Sequence, residues 1–79
     1  MKGYILDIKC QDMELAKLVE TCLRFIGSGS YAKPDDLSFK INCNPMHVCI
    51  VTDCLFRAAQ SQGYPTTAVK FYHDGQELS

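Results

Sequence analysis

The sequence carries no excess of charge of either sign: eight Lys and Arg stand against nine Asp and Glu, a formal net charge of -1. No run of like charge is longer than Asp35-Asp36. The electrostatic footprint of a nucleic-acid-binding domain is therefore missing. Long hydrophobic runs are missing too. No stretch approaches the ~20 apolar residues of a membrane-spanning helix, and the opening Met1-Lys2-Gly3-Tyr4 reaches Asp7 before any apolar leader could form. The expectation is a mature, soluble, cytoplasmic chain with no membrane partner. Catalytic signatures are lacking as well: there is no Gly-rich phosphate loop, Gly-x-Ser-x-Gly, His-Glu-x-x-His or Cys-x-x-Cys. Enzyme activity is not expected.

What is present is a globular composition, 47% hydrophobic, 10% aromatic and 22% charged, far from the low-hydrophobicity, high-charge balance of disorder. A chain of 79 residues is a single domain, because at this size it buries only about 60 to 65% of its unfolded surface. Any site is then shallow or shared with a partner.

Five cysteines in so short a chain raise the idea of a secreted disulfide scaffold, but the number is odd and no leader directs the chain to an oxidising compartment. Reduced thiols are expected. Cys22 and Cys54 fall among apolar neighbours at helical spacing, where cysteine acts as a small buried hydrophobe.

Periodicity organises the chain. Tyr4, Leu6 and Ile8 alternate with Ile5, Asp7 and Lys9, which predicts a strand over 3–9 with one buried face. From Asp12 the period lengthens: Leu15, Leu18, Val19, Cys22, Leu23 and Ile26 mark one face of a helix that Asp12 and Glu14 favour at its start and Gly27 can stop. Residues 27–36, GSGSYAKPDD, are turn formers without periodicity and predict a flexible surface loop. Leu37, Phe39 and Ile41 alternate as a second strand. Residues 43–63 are ambiguous. A hairpin would place a turn at Cys43-Asn44-Pro45-Met46, a strand at 47–52 with Val48 and Ile50 inward, and a short helix at 53–62; the β-branched row Val48, Ile50, Val51, Thr52 favours it. The alternative makes Asn44 an N-cap and Pro45 the first residue of one long helix. Gly63 and Pro65 break the second helix on either reading, Thr67 to His73 form a last strand with Val69 and Phe71 inward, and residues 74–79 fray. Leu18, Cys22, Phe39, Ile50 and Phe71 are the expected core.

The hairpin yields an α+β, ferredoxin-like β-α-β-β-α-β order, a four-stranded antiparallel sheet with both helices on one face; the alternative is β-α-β-α-β with a long second helix. A fold hosting so many functions says little about this one.

Four candidate chemistries follow from particular residues. Cys43 and His47, with Cys49 and Cys54, include metal-ligating types but lack a zinc-site spacing, so no metal or other cofactor is expected. Cys10, just before the first helix, and Cys43, near Pro45, are the two thiols that a helix N-terminus could activate; sulfur carriers place a Cys-Pro pair there, whereas Asn44 separates Cys43 from Pro45. RNA-recognition domains of this arrangement stack bases on aromatics of the open sheet face, and here only Tyr72 is available. On the hairpin register that face would carry Ile5, Cys49, Val51 and Tyr72 as an apolar strip flanked by Lys9, Lys40 and Lys70, which calls for a cover.

The function expected from these observations is a non-catalytic protein-binding module, an adaptor, regulator or small inhibitor of the kind found in phage and mobile elements. It would bind a protein or a second copy of itself through Ile5, Cys49, Val51 and Tyr72, with Tyr31 and Lys33 of the loop as further contacts. A small-molecule-binding regulatory domain of ACT type is the first alternative, with its ligand near the turn Lys9-Cys10-Gln11-Asp12. A thiol-dependent enzyme or carrier is the second.

Overall fold

The computed structural model describes residues 4–26 and 31–78. Alternation along the first segment produces β1 (Tyr4–Cys10), in which Leu6, Ile8 and Cys10 turn inward. The chain then changes period at Asp12. Its carboxylate accepts the backbone N–H of Leu15 at 2.9 Å, satisfying one of the donors that a helix start leaves unpaired, and α1 (Met13–Ile26) follows. Leu15, Ala16, Val19 and Leu23 are buried, while Leu18, Cys22 and Ile26 are half-buried against the core's edge.

Asp12 also accepts the hydroxyl of Tyr64 at 3.0 Å. The Leu15 N–H, more than the Tyr64 hydroxyl, holds the Asp12 carboxyl below its usual range. The unfolded chain then takes up a proton more readily than the folded one. The contribution of Asp12 is thus fully present above about pH 3.9, the ordinary Asp value, and is lost as pH falls through the depressed one. Asp12→Ala should melt a few degrees below the parent at neutral pH. Melting curves taken from pH 7 down to pH 2 should show that gap closing below about pH 4.

Two strands follow as a hairpin, β2 (Tyr31–Asp35) and β3 (Ser38–Cys43). The expected loop over 27–36 is corrected here: residues 31–35 are an edge strand, and 27–30 lie outside the described residues. An edge strand pairs on one side only, so Pro34 is tolerated where it would break a central strand, and the register shifts between Ala32 and Asp35 around it. The turn is closed by the Asp35 carboxylate accepting the Leu37 N–H at 2.9 Å. Tyr31 ties the edge to α1 by donating its hydroxyl to Glu20 Oε2 at 2.6 Å.

The strand expected at 47–52 is helical instead. Asn44 accepts the Met46 N–H at 2.9 Å, Pro45 opens a 3-10 turn (Pro45–His47), and α2 runs from Val48 to Ser61. Tertiary burial overrides β-propensity at this point. A β-branched residue costs a helix at most about 0.7 kcal/mol relative to Ala, whereas each large apolar side chain buried returns about 1.5 to 3 kcal/mol. The helix seals Val51, Leu55 and Ala59 into the core on one stripe. Ile50, expected inside, is 63% exposed.

Gly63, at φ +86°, ends the second helical segment. A 3-10 turn (Thr66–Ala68) leads into β4 (Val69–His73), whose Val69 and Phe71 are buried. The expected fraying beyond it is also corrected. Asp74 and Gly75 both adopt positive φ, 53° and 81°, the combination that a tight two-residue hairpin requires. They return the chain as β5 (Gln76–Glu77). The Leu78 N–H then bonds the Phe71 carbonyl at 2.8 Å.

The architecture is α+β, with the order β2-β3-β1-β4-β5 in one sheet of five strands rather than four, every neighbouring pair antiparallel. Register stacks Ile8 opposite both Phe39 and Phe71, Leu6 opposite Ile41, and Cys10 opposite Val69. These residues share one face, and both helices supply the rest of the same core.

Candidate functional site

The other face of the sheet is polar. Asp7 and Lys40, directly paired across β1 and β3, approach to 3.8 Å, and Lys9 Nζ lies 5.2 Å from the centre of the Tyr72 ring. Lys70 and Asn42 are exposed beside them. Ile5, 39% exposed, and Tyr72 do share this face. The other two members of the expected strip do not: Cys49 is exposed on α2, and Val51, 2% exposed, belongs to the core. The strip described from sequence therefore does not exist as a continuous surface, because the segment supplying half of it is a helix on the opposite side of the sheet.

Tyr31 and Lys33 come together, both engaged with the body of the protein. The Tyr31 ring meets Phe39 edge-on at 5.8 Å, and Lys33 Nζ sits 5.2 Å from the centre of the Phe39 ring while donating to the Asp36 carbonyl at 3.1 Å.

The thiols are free and differ in setting. Burial pushes Cys10 up to about 11, outweighing the lowering influence of Lys33. Burial likewise raises Cys43. Neither of the two thiols that the sequence offered for activation by a helix start is thus poised as a thiolate. Among the described residues, no group of three or more His, Cys, Asp and Glu could hold a metal ion, and no helix is long and apolar enough to cross a membrane. In the turn Lys9-Cys10-Gln11-Asp12, Asp12 Oδ1 accepts both the Leu15 N–H and the Tyr64 hydroxyl. A small apolar cleft of about 190 Å³ lies between α2 and the β4–β5 hairpin, walled by Val48, Cys49, Thr52, Phe56, Phe71 and Leu78. It falls below the roughly 300 to 1,000 Å³ of ordinary ligand sites.

The conspicuous surface is elsewhere. Phe25 is 85% exposed, Met46 82% and Ile50 63%. The helices run antiparallel: Asp12 bonds Tyr64, and Glu14 and Leu18 share a depression with Gln62 and Tyr64. The last turn of α1 and the first turn of α2 therefore lie at the same end of the helix layer. This brings Phe25 to the end that Met46 and Ile50 occupy. The Asp53–Arg57 ion pair, 3.1 Å long and largely exposed, adjoins them on α2. Sequence reasoning missed these three residues. The available signal was that Phe25 falls off the apolar stripe of α1, and that on a helix Met46 and Ile50 oppose the stripe of Val51, Leu55 and Ala59. Comparison of the chain with models of known protein families, with curated proteins and with solved structures returns no match.

Proposed function

We propose that this chain is a non-catalytic protein-binding module that engages a larger protein through the end of its helix layer, with Phe25, Met46 and Ile50 as anchors. The observation that carries this reading is the exposure of three large apolar side chains at one end of the helix layer, while the open sheet face carries the Asp7–Lys40 ion pair. Isolated exposed hydrophobics need no explanation, but several together in a small domain mark an interaction site. A standard interface takes about 800 Å² from each partner, roughly one sixth of the molecule's 5176 Å². The three anchors alone cannot supply that much, so Cys49 and the Asp53–Arg57 pair form the rim. An apolar centre inside a polar rim is the ordinary anatomy of a protein interface. In this reading the fold is a ferredoxin-like β-α-β-β-α-β arrangement extended by β5, which is supported by the order β2-β3-β1-β4 of its first four strands.

The test compares two faces in one binding assay with a partner recovered by in-cell crosslinking. Ile50→Glu should weaken binding at least tenfold without lowering Tm, and Lys70→Glu on the sheet face should leave binding within twofold. The opposite pattern places the interface on the sheet and removes this reading.

A further inference from the structure

Antiparallel packing also fixes which residues of the two helices face each other. The Asp12–Tyr64 bond of 3.0 Å and the depression shared by Glu14, Leu18, Gln62 and Tyr64 set the alignment at one end of the pair. Advancing along α1 while retreating equally along α2, at the same rise per residue, brings Leu18 level with Ala58, Cys22 with Cys54, and Ile26 with Ile50. All six lie outside the sealed stripes of Leu15, Val19 and Leu23 on α1 and Val51, Leu55 and Ala59 on α2. They therefore line the outer seam between the helices.

Packed helix axes lie about 8 to 10 Å apart and each Cα stands about 2.3 Å from its axis. Cα atoms on the facing sides of such a pair stand about 4 to 6 Å apart, which overlaps the roughly 4.4 to 6.8 Å that a disulfide spans. Cys54 is exposed and Cys22 is half-buried behind it. Burial raises Cys22 first, and the neighbouring Cys54 raises it further, as expected of two thiols that sense each other.

We propose that Cys22 and Cys54 are a redox-active dithiol that closes reversibly into an interhelix disulfide by exchange with a small disulfide such as oxidised glutathione. The Cys54 thiolate attacks one sulfur of the glutathione disulfide, whose S–S bond breaks, and the first glutathione leaves as a thiolate that takes up a proton. Cys22, its proton lost to solvent, attacks Cys54 Sγ and displaces the second glutathione. Two protein thiols are oxidised and one glutathione disulfide is reduced to two thiols. The inference stands on the helix alignment and does not depend on the binding surface proposed above. Cys49 serves as an internal comparison, because it is exposed on α2 with no cysteine opposite.

The experiment treats the native protein with glutathione disulfide, blocks remaining thiols with iodoacetamide in acid and maps the peptides. Cys22 should be linked to Cys54 with the loss of two hydrogens, and Cys49 should carry a lasting glutathione. In Cys22→Ser, Cys54 should stop at the mixed disulfide. The oxidised protein should keep its far-UV circular dichroism, show a higher denaturation midpoint, and return to the starting value with dithiothreitol. A lasting glutathione on Cys54 beside a free Cys22 in the wild-type protein, or a link that forms only in denaturant, overturns the proposal.

Discussion

Val51→Glu should leave no folded protein at room temperature, while Ile50→Glu, one residue earlier in α2, should melt within about two degrees of the parent. Val51 is 2% exposed between the helix pair and the sheet, and among the described residues no buried polar or charged group lies in that core to receive a carboxylate. Burying an unpaired charge costs several kcal/mol, which is comparable with the whole stability of a small domain, about 5 kcal/mol at the lower end. Ile50 is 63% exposed in the first turn of α2. There a carboxylate keeps its hydration, and glutamate is at least as good a helix former as isoleucine and suits the positive end of the helix dipole. Thermal melts of the two variants followed by circular dichroism decide the matter. Were residues 47–52 a strand with Val48 and Ile50 inward, the two outcomes would exchange places.

Phe39→Ala should remove about 3 to 5 kcal/mol of unfolding free energy, which leaves the chain marginal or unfolded at 37 °C. Phe39 is 1% exposed on β3, opposite Ile8 of the central strand. It is also the ring on which Tyr31 packs edge-on and over which Lys33 lies. Its loss therefore leaves a cavity under β1 and strips the edge strand β2 of its main apolar contact. Urea denaturation read by both fluorescence and circular dichroism should show a lower midpoint with little change in slope. A variant within half a kcal/mol of the parent would mean that β3 does not present Phe39 to the core. Phe71, 2% exposed and in edge contact with Phe56 at 5.0 Å, provides a second site at which the same loss is expected.

The candidate site was less legible than the core. Of the six residues singled out from sequence as contacts, Ile5 and Tyr72 do share the open sheet face. Tyr31 and Lys33 instead pack around Phe39, and Cys49 and Val51 belong to a helix on the other side of the sheet. One misplaced element accounts for the last two. A strand shows alternate residues on a face and a helix every third or fourth, so reading 47–52 with the wrong period exchanges inside for outside. It buries Ile50 and exposes Val51, and it hides the cluster with Phe25 and Met46.

Sequence alone determined the elements whose periodicity is long or whose start is signalled chemically. These are β1 with Leu6 and Ile8 inward, α1 with Asp12 and Glu14 at its positive start, β3 with Phe39 and Ile41, and β4 with Val69 and Phe71. The start of α2 was also written locally, in Asn44 and Pro45, but it competed with a run of β-branched residues. Only burial of Val51, Leu55 and Ala59 on one stripe outweighs that local preference, and burial is a property of the packed whole. The edge strands β2 and β5 were likewise beyond local reading. Each depends on a neighbour supplied by another part of the chain, so Pro34 and the short Gln76–Glu77 segment look like loop until the sheet presents a free edge. The placement of Phe25 at the same end as Met46 and Ile50, and the levelling of Cys22 with Cys54, were decided last. Both follow from the antiparallel alignment of two helices far apart in sequence, and no period within either helix contains that information.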